Sequence, residues 1–171
     1  TNGVTPRRWI KLANPALAKF LTERLGDGWL TNLSMLKDLE KFSDDLATLH
    51  EFAWVKNNAK ATLVKYVQKR EGILIDPNSI FDCQVKRFHL YKRQDMNALR
   101  ILYIYDRIKK GELPDFYPTT FIFGGKAAAS FYEAKRIIEL LKDIQEMVNN
   151  DPDVNDKMKV VVLTNFNVSY G

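Results

Sequence analysis

The sequence predicts an α/β fold in which a parallel, doubly wound sheet follows a helical portion. Three observations predict it. Residues 1–72 carry helix starts, helix stops and apolar residues at helical spacing. From residue 73 onward the pattern runs strand–helix–strand–helix–strand, the order of a parallel sheet joined by crossover helices. The 171 residues are 46% hydrophobic and include ten Phe, seven Tyr and three Trp, ample for one packed core. That composition excludes a disordered chain, a collagen-like repeat and a disulfide scaffold.

Taken in order, Thr5-Pro6 and Asn14-Pro15 each pair an N-capping side chain with a proline at the first helical position. Leu17, Phe20 and Leu21 recur at helical spacing, and Gly26 is expected to stop that helix in a left-handed cap. Leu33, Leu36 and Leu39 mark a third helix, and Leu63, Val64 and Val67 a fourth that closes at Gly72. Phe81-Asp-Cys-Gln-Val85 then alternates as a strand. A helix is expected from about His89 to Lys110, with two apolar stripes, Met96/Leu99/Tyr103 and Ile101/Ile104/Ile108, covered on more than one side. After Pro114 and Pro118 comes the strand Thr119–Phe123. The next helix spans Phe131 to Asn149, with Ser130 and Glu133 as a capping box and Ala134, Ile137, Ile138, Leu141, Ile144 and Val148 as its apolar stripe. Asp151-Pro152 ends it, and Val160–Leu163 is the last strand.

The charge balance, 26 Lys+Arg against 21 Asp+Glu, is a mild +5 and by itself supports only a preference for anions. The longest apolar runs, Ile101–Tyr105 and Val160–Leu163, are far shorter than a membrane span. No charged-then-apolar stretch opens the given sequence, so a reducing cytoplasm is the expectation. The single cysteine, Cys83, leaves no internal disulfide and too little sulfur for a zinc site, and no metal is expected. Strand alternation places it with Phe81 and Val85, where it is expected to be an inert core residue. His50, near Phe52 and Trp54, is expected to be a partly buried structural histidine. Thr1 and the strand close to Gly171 suggest a piece of something larger.

Ligands of open parallel sheets bind beyond the carboxyl ends of the strands. Those ends carry Lys86-Arg87, Gly124-Gly125-Lys126 and Asn165-Phe166-Asn167. The segment Lys86-Arg-Phe-His-Leu-Tyr-Lys-Arg93 concentrates four permanent cations and a histidine in eight residues. At a helix start the dipole opposes cations, so stability alone would place Asp or Glu there. Arg offers a bidentate fork and Lys a point charge, which together suit an oxyanion such as phosphate. A solvated basic face is the other reading of the segment, and a bare turn the other reading of Gly124-Gly125-Lys126, which lacks the spacing of a P-loop or dinucleotide fingerprint.

Several segments resemble a known family. Thr1-Asn-Gly-Val-Thr-Pro-Arg-Arg-Trp9 resembles the opening of the second domain of the α-glucan phosphorylases, the glycogen, starch and maltodextrin enzymes. Phe81-Asp-Cys-Gln-Val-Lys-Arg-Phe-His-Leu-Tyr-Lys-Arg-Gln94 resembles that family's strand–helix signature. Phe123–Ala128, Val148–Pro152 and Asn165–Ser169 resemble three further segments in the family's order. The resemblance implies the two-domain GT-B fold. Residues 73–171 would be the first part of its Rossmann-like, cofactor-side C-terminal domain, and residues 1–72 a helical segment flanking it in the same structural unit. It also implies release of glucose 1-phosphate from an α-1,4-glucan by inorganic phosphate, with pyridoxal phosphate as cofactor.

By the same resemblance, Lys86 contacts the cofactor phosphate and Trp9 lies near the cofactor. Arg87 and Lys92 are implied as ligands of the substrate phosphate, and Asn2 and Tyr91 as partners of the glucosyl hydroxyls. The implied parent is a cytoplasmic homodimer acting on glycogen or maltodextrin, without membrane or nucleic-acid partners, and the isolated piece is expected to self-associate. In the family the Schiff-base lysine follows the segment resembled by Val168-Ser169, so the 171 residues alone are expected to be inactive. Leu90 replaces an acidic residue of the signature, and Phe166 stands where Tyr is frequent. Ala129-Ser130-Phe131 replaces the Pro-Gly-Tyr that serves regulation in allosteric members, so that regulation is not carried over. A different-class alternative is a stand-alone module binding a phosphorylated ligand or nucleic acid through the basic strand ends. The absence of an aromatic-interleaved basic stripe weighs against it.

Overall fold

The computed structural model describes residues 6–167. The chain divides into two compact units, residues 1–63 and 64–171, and the division falls inside one long helix.

The first unit is helical. Pro6 opens α1 (Pro6–Ala13), while Thr5 lies outside the described residues. α2 (Pro15–Leu25) starts as its sequence predicts, with the Asn14 side chain accepting from the Leu17 N–H and Pro15 at the first turn. Gly26 ends it with φ +71° but ψ 178°, so the positive φ is there without the left-handed helical cap. The segment marked by Leu33, Leu36 and Leu39 is a 3-10 helix, Leu33–Phe42, rather than an α-helix. Strict i, i+3 spacing matches its three residues per turn, and Leu36 and Leu39 face the unit's core. That core comprises Ala18, Phe20, Leu21, Trp29 and Val55, and the indole of the fully buried Trp29 donates to the Thr22 hydroxyl at 3.0 Å. Arg24 stacks on Phe20 and pairs with Glu51 at 2.6 Å. His50, expected to be partly buried, is exposed, because it sits on an outward face of α3 (Leu46–Glu71).

The second unit holds the predicted sheet. β1 (Ile80–Val85), β2 (Thr119–Gly124) and β3 (Met158–Leu163) run parallel in the order β1-β2-β3. The register sets Asp82 beside Phe121 and Gln84 beside Phe123. Between the strands lie α4 (Gln94–Lys109) and α5 (Tyr132–Asn150), both packed on the face that carries Phe121, Phe123, Met158, Val160 and Val162. Consecutive strand order with both helices on one face follows the fixed hand of such crossovers. The opposite face, with Thr120, Ile122 and Val161, is also buried, as parallel sheets require. The segment from Glu71 to Ser79 is tied to the sheet at both ends. The Glu71 carboxylate accepts from the Thr164 N–H and hydroxyl, and Ser79 pairs with Thr120.

Four further expectations are corrected. Cys83 is exposed rather than buried, because β1 is an outer strand whose α4-facing row is the polar pair Asp82 and Gln84. Alternation assigns a residue to a face but does not say which face is covered. On α4, Ile101 and Ile108 are buried, whereas Met96, Leu99 and Tyr103 stand outward, each more than half exposed. No side chain caps α5, so the Ser130/Glu133 capping box does not form, while the apolar stripe lies in the core. Finally, α4 begins at Gln94, not near His89. A 3-10 turn, Leu90–Lys92, and a left-handed Arg93 (φ 56°, ψ 36°) precede it. Lys86, Arg87 and Lys92 therefore lie ahead of the helix rather than within its first turn, which carries Asp95 instead.

Candidate functional site

The three strand ends meet. Beyond β1 and β2 the chains run side by side, the Lys86 N–H donating to the Gly124 carbonyl at 2.9 Å and the Phe88 N–H to the Lys126 carbonyl at 3.2 Å. A Cβ built on Gly125 would stand 2.1 Å from the Lys86 carbonyl oxygen, so only glycine admits this approach. The Phe166 ring, beyond β3, closes on Gly124, where a Cβ would meet it at 2.7 Å. The glycine pair is thus explained by space for its neighbours.

The loop between β1 and α4 brings Lys86, Arg87, Tyr91 and Lys92 onto one short stretch of backbone. Lys86, Arg87 and Tyr91 are exposed, and Lys92 is half-buried with its ammonium 4.6 Å from the centre of the Tyr91 ring. The His89 ring is 4.3 Å from Tyr91 and meets Phe131 edge-on at 4.6 Å. Among the described residues, none of Lys86, Arg87, Lys92 and Arg93 is in an ion pair, whereas Arg24, Arg100, Arg107, Lys109 and Arg136 each hold a carboxylate. Cations left without counter-charge beyond the carboxyl ends of a parallel sheet make a surface suited to an anion. Trp9 is half-buried on α1 of the first unit, and Asn2 lies outside the described residues.

Three residues that sequence reasoning missed hold this loop. Gln94 is fully buried. Its amide donates to the Arg87 carbonyl at 3.1 Å and accepts from the His89 N–H at 3.4 Å. The Gln84 amide donates to the Lys92 carbonyl at 3.2 Å and accepts from Asn97 at 2.8 Å. Their spacing on a strand and a helix carries no local signal, since the bonds join residues 7, 8 and 13 positions apart. Among the described residues no group of His, Cys, Asp and Glu is placed to hold a metal. No helix among them is long and apolar enough to cross a membrane.

Comparison with known proteins identifies the family. The chain is 45% identical over its full 171 residues to a glycogen phosphorylase of Synechocystis sp., covering 20% of that protein. It is 46% identical over 169 residues, 99% of the chain, to glycogen phosphorylase of Chlamydia pneumoniae and to the brain form of Bos taurus, again covering 20% of each. The chain therefore spans about a fifth of the length of these relatives. None of them supports the alternative of a stand-alone phospho-ligand or nucleic-acid module. Residues 1–171 match, as one stretch, the family described as carbohydrate phosphorylase, and the chain belongs to that family.

Proposed function

We propose that the chain is part of an α-1,4-glucan phosphorylase of GT-B architecture, which releases glucose 1-phosphate from glycogen or maltodextrin with inorganic phosphate. The observation that carries the reading is the loop Lys86–Arg93. In a chain of this family, its cations lack carboxylate partners and its backbone is clamped beyond the strand ends. In this reading Arg87 and Lys92 bind and orient the substrate phosphate, Arg as a fork and Lys as a point charge. Tyr91, exposed on the same turn, and Asn2 hydrogen-bond the glucosyl hydroxyls. Residues 73–171 are the first part of the cofactor-side domain and residues 1–72 its helical flank. The parent is a cytoplasmic homodimer.

The residues present fit a phosphate-bearing cofactor. Lys86 is exposed, in no ion pair among the described residues, and follows a strand end whose neighbouring glycine lets the backbone close in. Pyridoxal phosphate would be held there by Lys86, with Trp9 assigned beside it by resemblance alone, and when bound it supplies the reactive phosphoryl chemistry. The chain's own part is to hold two anionic groups near one another and to offset their mutual repulsion with fixed cations.

The test is Arg87→Ala in the full-length protein. Arg87 is exposed in this chain, so a loss in phosphate use of on the order of 2–5 kcal/mol, read as kcat/KM for phosphate, is expected where the bound phosphate and the rest of the full-length protein shield the pair from water. An unchanged dependence on phosphate overturns the reading.

A further inference from the structure

The Lys92 carbonyl is the end of a hydrogen-bond relay whose direction is set at both ends. On β1, Asp82 accepts from Arg100 of α4. Arg100 also donates through Nε to the Asn97 side-chain oxygen at 3.0 Å. Asn97 then has only its NH2 to offer Gln84, and it donates to Gln84 Oε1 at 2.8 Å. Gln84 is left with its own NH2 facing the Lys92 carbonyl, to which it donates at 3.2 Å. A guanidinium can only donate and a carbonyl can only accept, so neither amide between them can turn over without breaking two bonds.

From this polarity we infer that Gln84 and Asn97 are positioning residues for the phosphate step, fixing the backbone of Lys92 through an amide relay anchored on Arg100. The inference rests on the reading of Lys92 as a phosphate ligand. Neither amide touches the anion. Each acts on where the Lys92 side chain begins. The 3-10 turn that carries the half-buried Lys92 is three residues long and is followed directly by the left-handed Arg93, so the turn's own bond from the Lys92 N–H to the His89 carbonyl leaves the Lys92 carbonyl to Gln84. Charge stabilisation falls off steeply when a positioned group is displaced by an ångström, so the relay is expected to matter for phosphate far more than for the fold.

Asn97→Asp separates the two roles. The variant has nearly the same volume, and its carboxylate gives Arg100 a charged partner, so melting temperature is unchanged or higher. A carboxylate only accepts, however. Gln84 must then turn its NH2 toward residue 97 and present its oxygen to the Lys92 carbonyl, which it repels. In the full-length protein the expected result is a rise in KM for inorganic phosphate of roughly five- to fiftyfold, with KM for a maltooligosaccharide nearly unchanged. Gln84→Met removes the bond to Lys92 without adding charge and should give the same phosphate-specific rise. Phosphate KM within twofold of the parent in both variants, while Lys92→Ala raises it, overturns the relay and leaves the role of Lys92 standing. If Lys92→Ala also leaves phosphate KM unchanged, the underlying assignment fails and the relay fails with it.

Discussion

Gly125 has no room for a side chain. The Lys86 carbonyl would stand 2.1 Å from a Cβ there and its carbon 2.9 Å, and both are backbone atoms that cannot swing aside. Gly125→Ala must therefore push the β1–α4 loop away from β2, at a cost of about 1–3 kcal/mol typical of overpacking. Gly111 offers the contrast. Nothing lies within 4 Å of its Cβ position, but its φ is +71°. Gly111→Ala carries only the left-handed backbone penalty, about 1–2 kcal/mol, and should leave the loop alone. Urea midpoints measure both losses, and phosphate kinetics in the full-length protein tell them apart: only Gly125→Ala should weaken phosphate use as well. Equal phosphate kinetics in the two variants would mean that the Lys86 backbone yields without consequence. Gln94 works at the same scale, since its buried amide is the partner of both the Arg87 carbonyl and the His89 N–H.

At the scale of elements, α5 closes the outer edge of β3. Asn149 donates to the Val160 carbonyl at 2.8 Å and accepts from its N–H at 2.9 Å, and Gln145 accepts from the Val162 N–H at 2.7 Å. A strand that ends a sheet offers such groups to other chains unless something covers them. The end of α5 is joined in turn to α4. Asp151, just past α5, takes the Tyr105 hydroxyl at 2.6 Å, the Asp153 N–H at 3.0 Å and the Lys109 ammonium at 3.0 Å. These donors, the tyrosine first, lower the Asp151 pKa from 3.8 to about 2. Because the folded value lies below the unfolded one, the carboxylate's contribution is complete above 3.8 and is lost as pH falls through about 2. Tyr105→Phe removes the leading cause and should flatten the pH dependence of the urea midpoint in that acid window, leaving neutral-pH behaviour little changed apart from the lost hydrogen bond. An identical acid profile in the variant would show that Asp151 does not link the two helices.

Across the whole molecule, apolar side chains stand uncovered in both units. In the first, Leu46 is 69% and Trp54 59% exposed. In the second, Met96, Leu99 and Tyr103 form one outward stripe on α4. Exposed apolar stripes of this kind are suited to an interaction face. The isolated 171-residue chain is expected to self-associate as its concentration rises, and sedimentation across a concentration series measures this. Replacing Leu99 and Tyr103 with lysine should shift the series toward monomer. A strictly monomeric parent chain would mean that these side chains need no cover.

What the sequence determined by itself was whatever is encoded within a turn or two of chain. Asn14-Pro15 set the start of α2, the stripe from Ala134 to Val148 set the buried face of α5, and the alternating and apolar runs set β1, β2 and β3. The run Lys86–Arg93 marked the candidate site, and the long motifs around it carried the family. Tertiary structure decided coverage and direction. It left Cys83, His50 and the Met96 stripe outside, although their spacing suits burial, because a period names a face and only a neighbouring element covers it. It ended the basic loop at Arg93 instead of starting a helix at His89, because the buried Gln94 binds the loop backbone. It also joined Gly125 to Lys86, and Arg100 through Asn97 and Gln84 to Lys92. Those links depend on parallel register and on the packing of α4 against β1, which bring distant residues to hydrogen-bond distance and which no local pattern specifies.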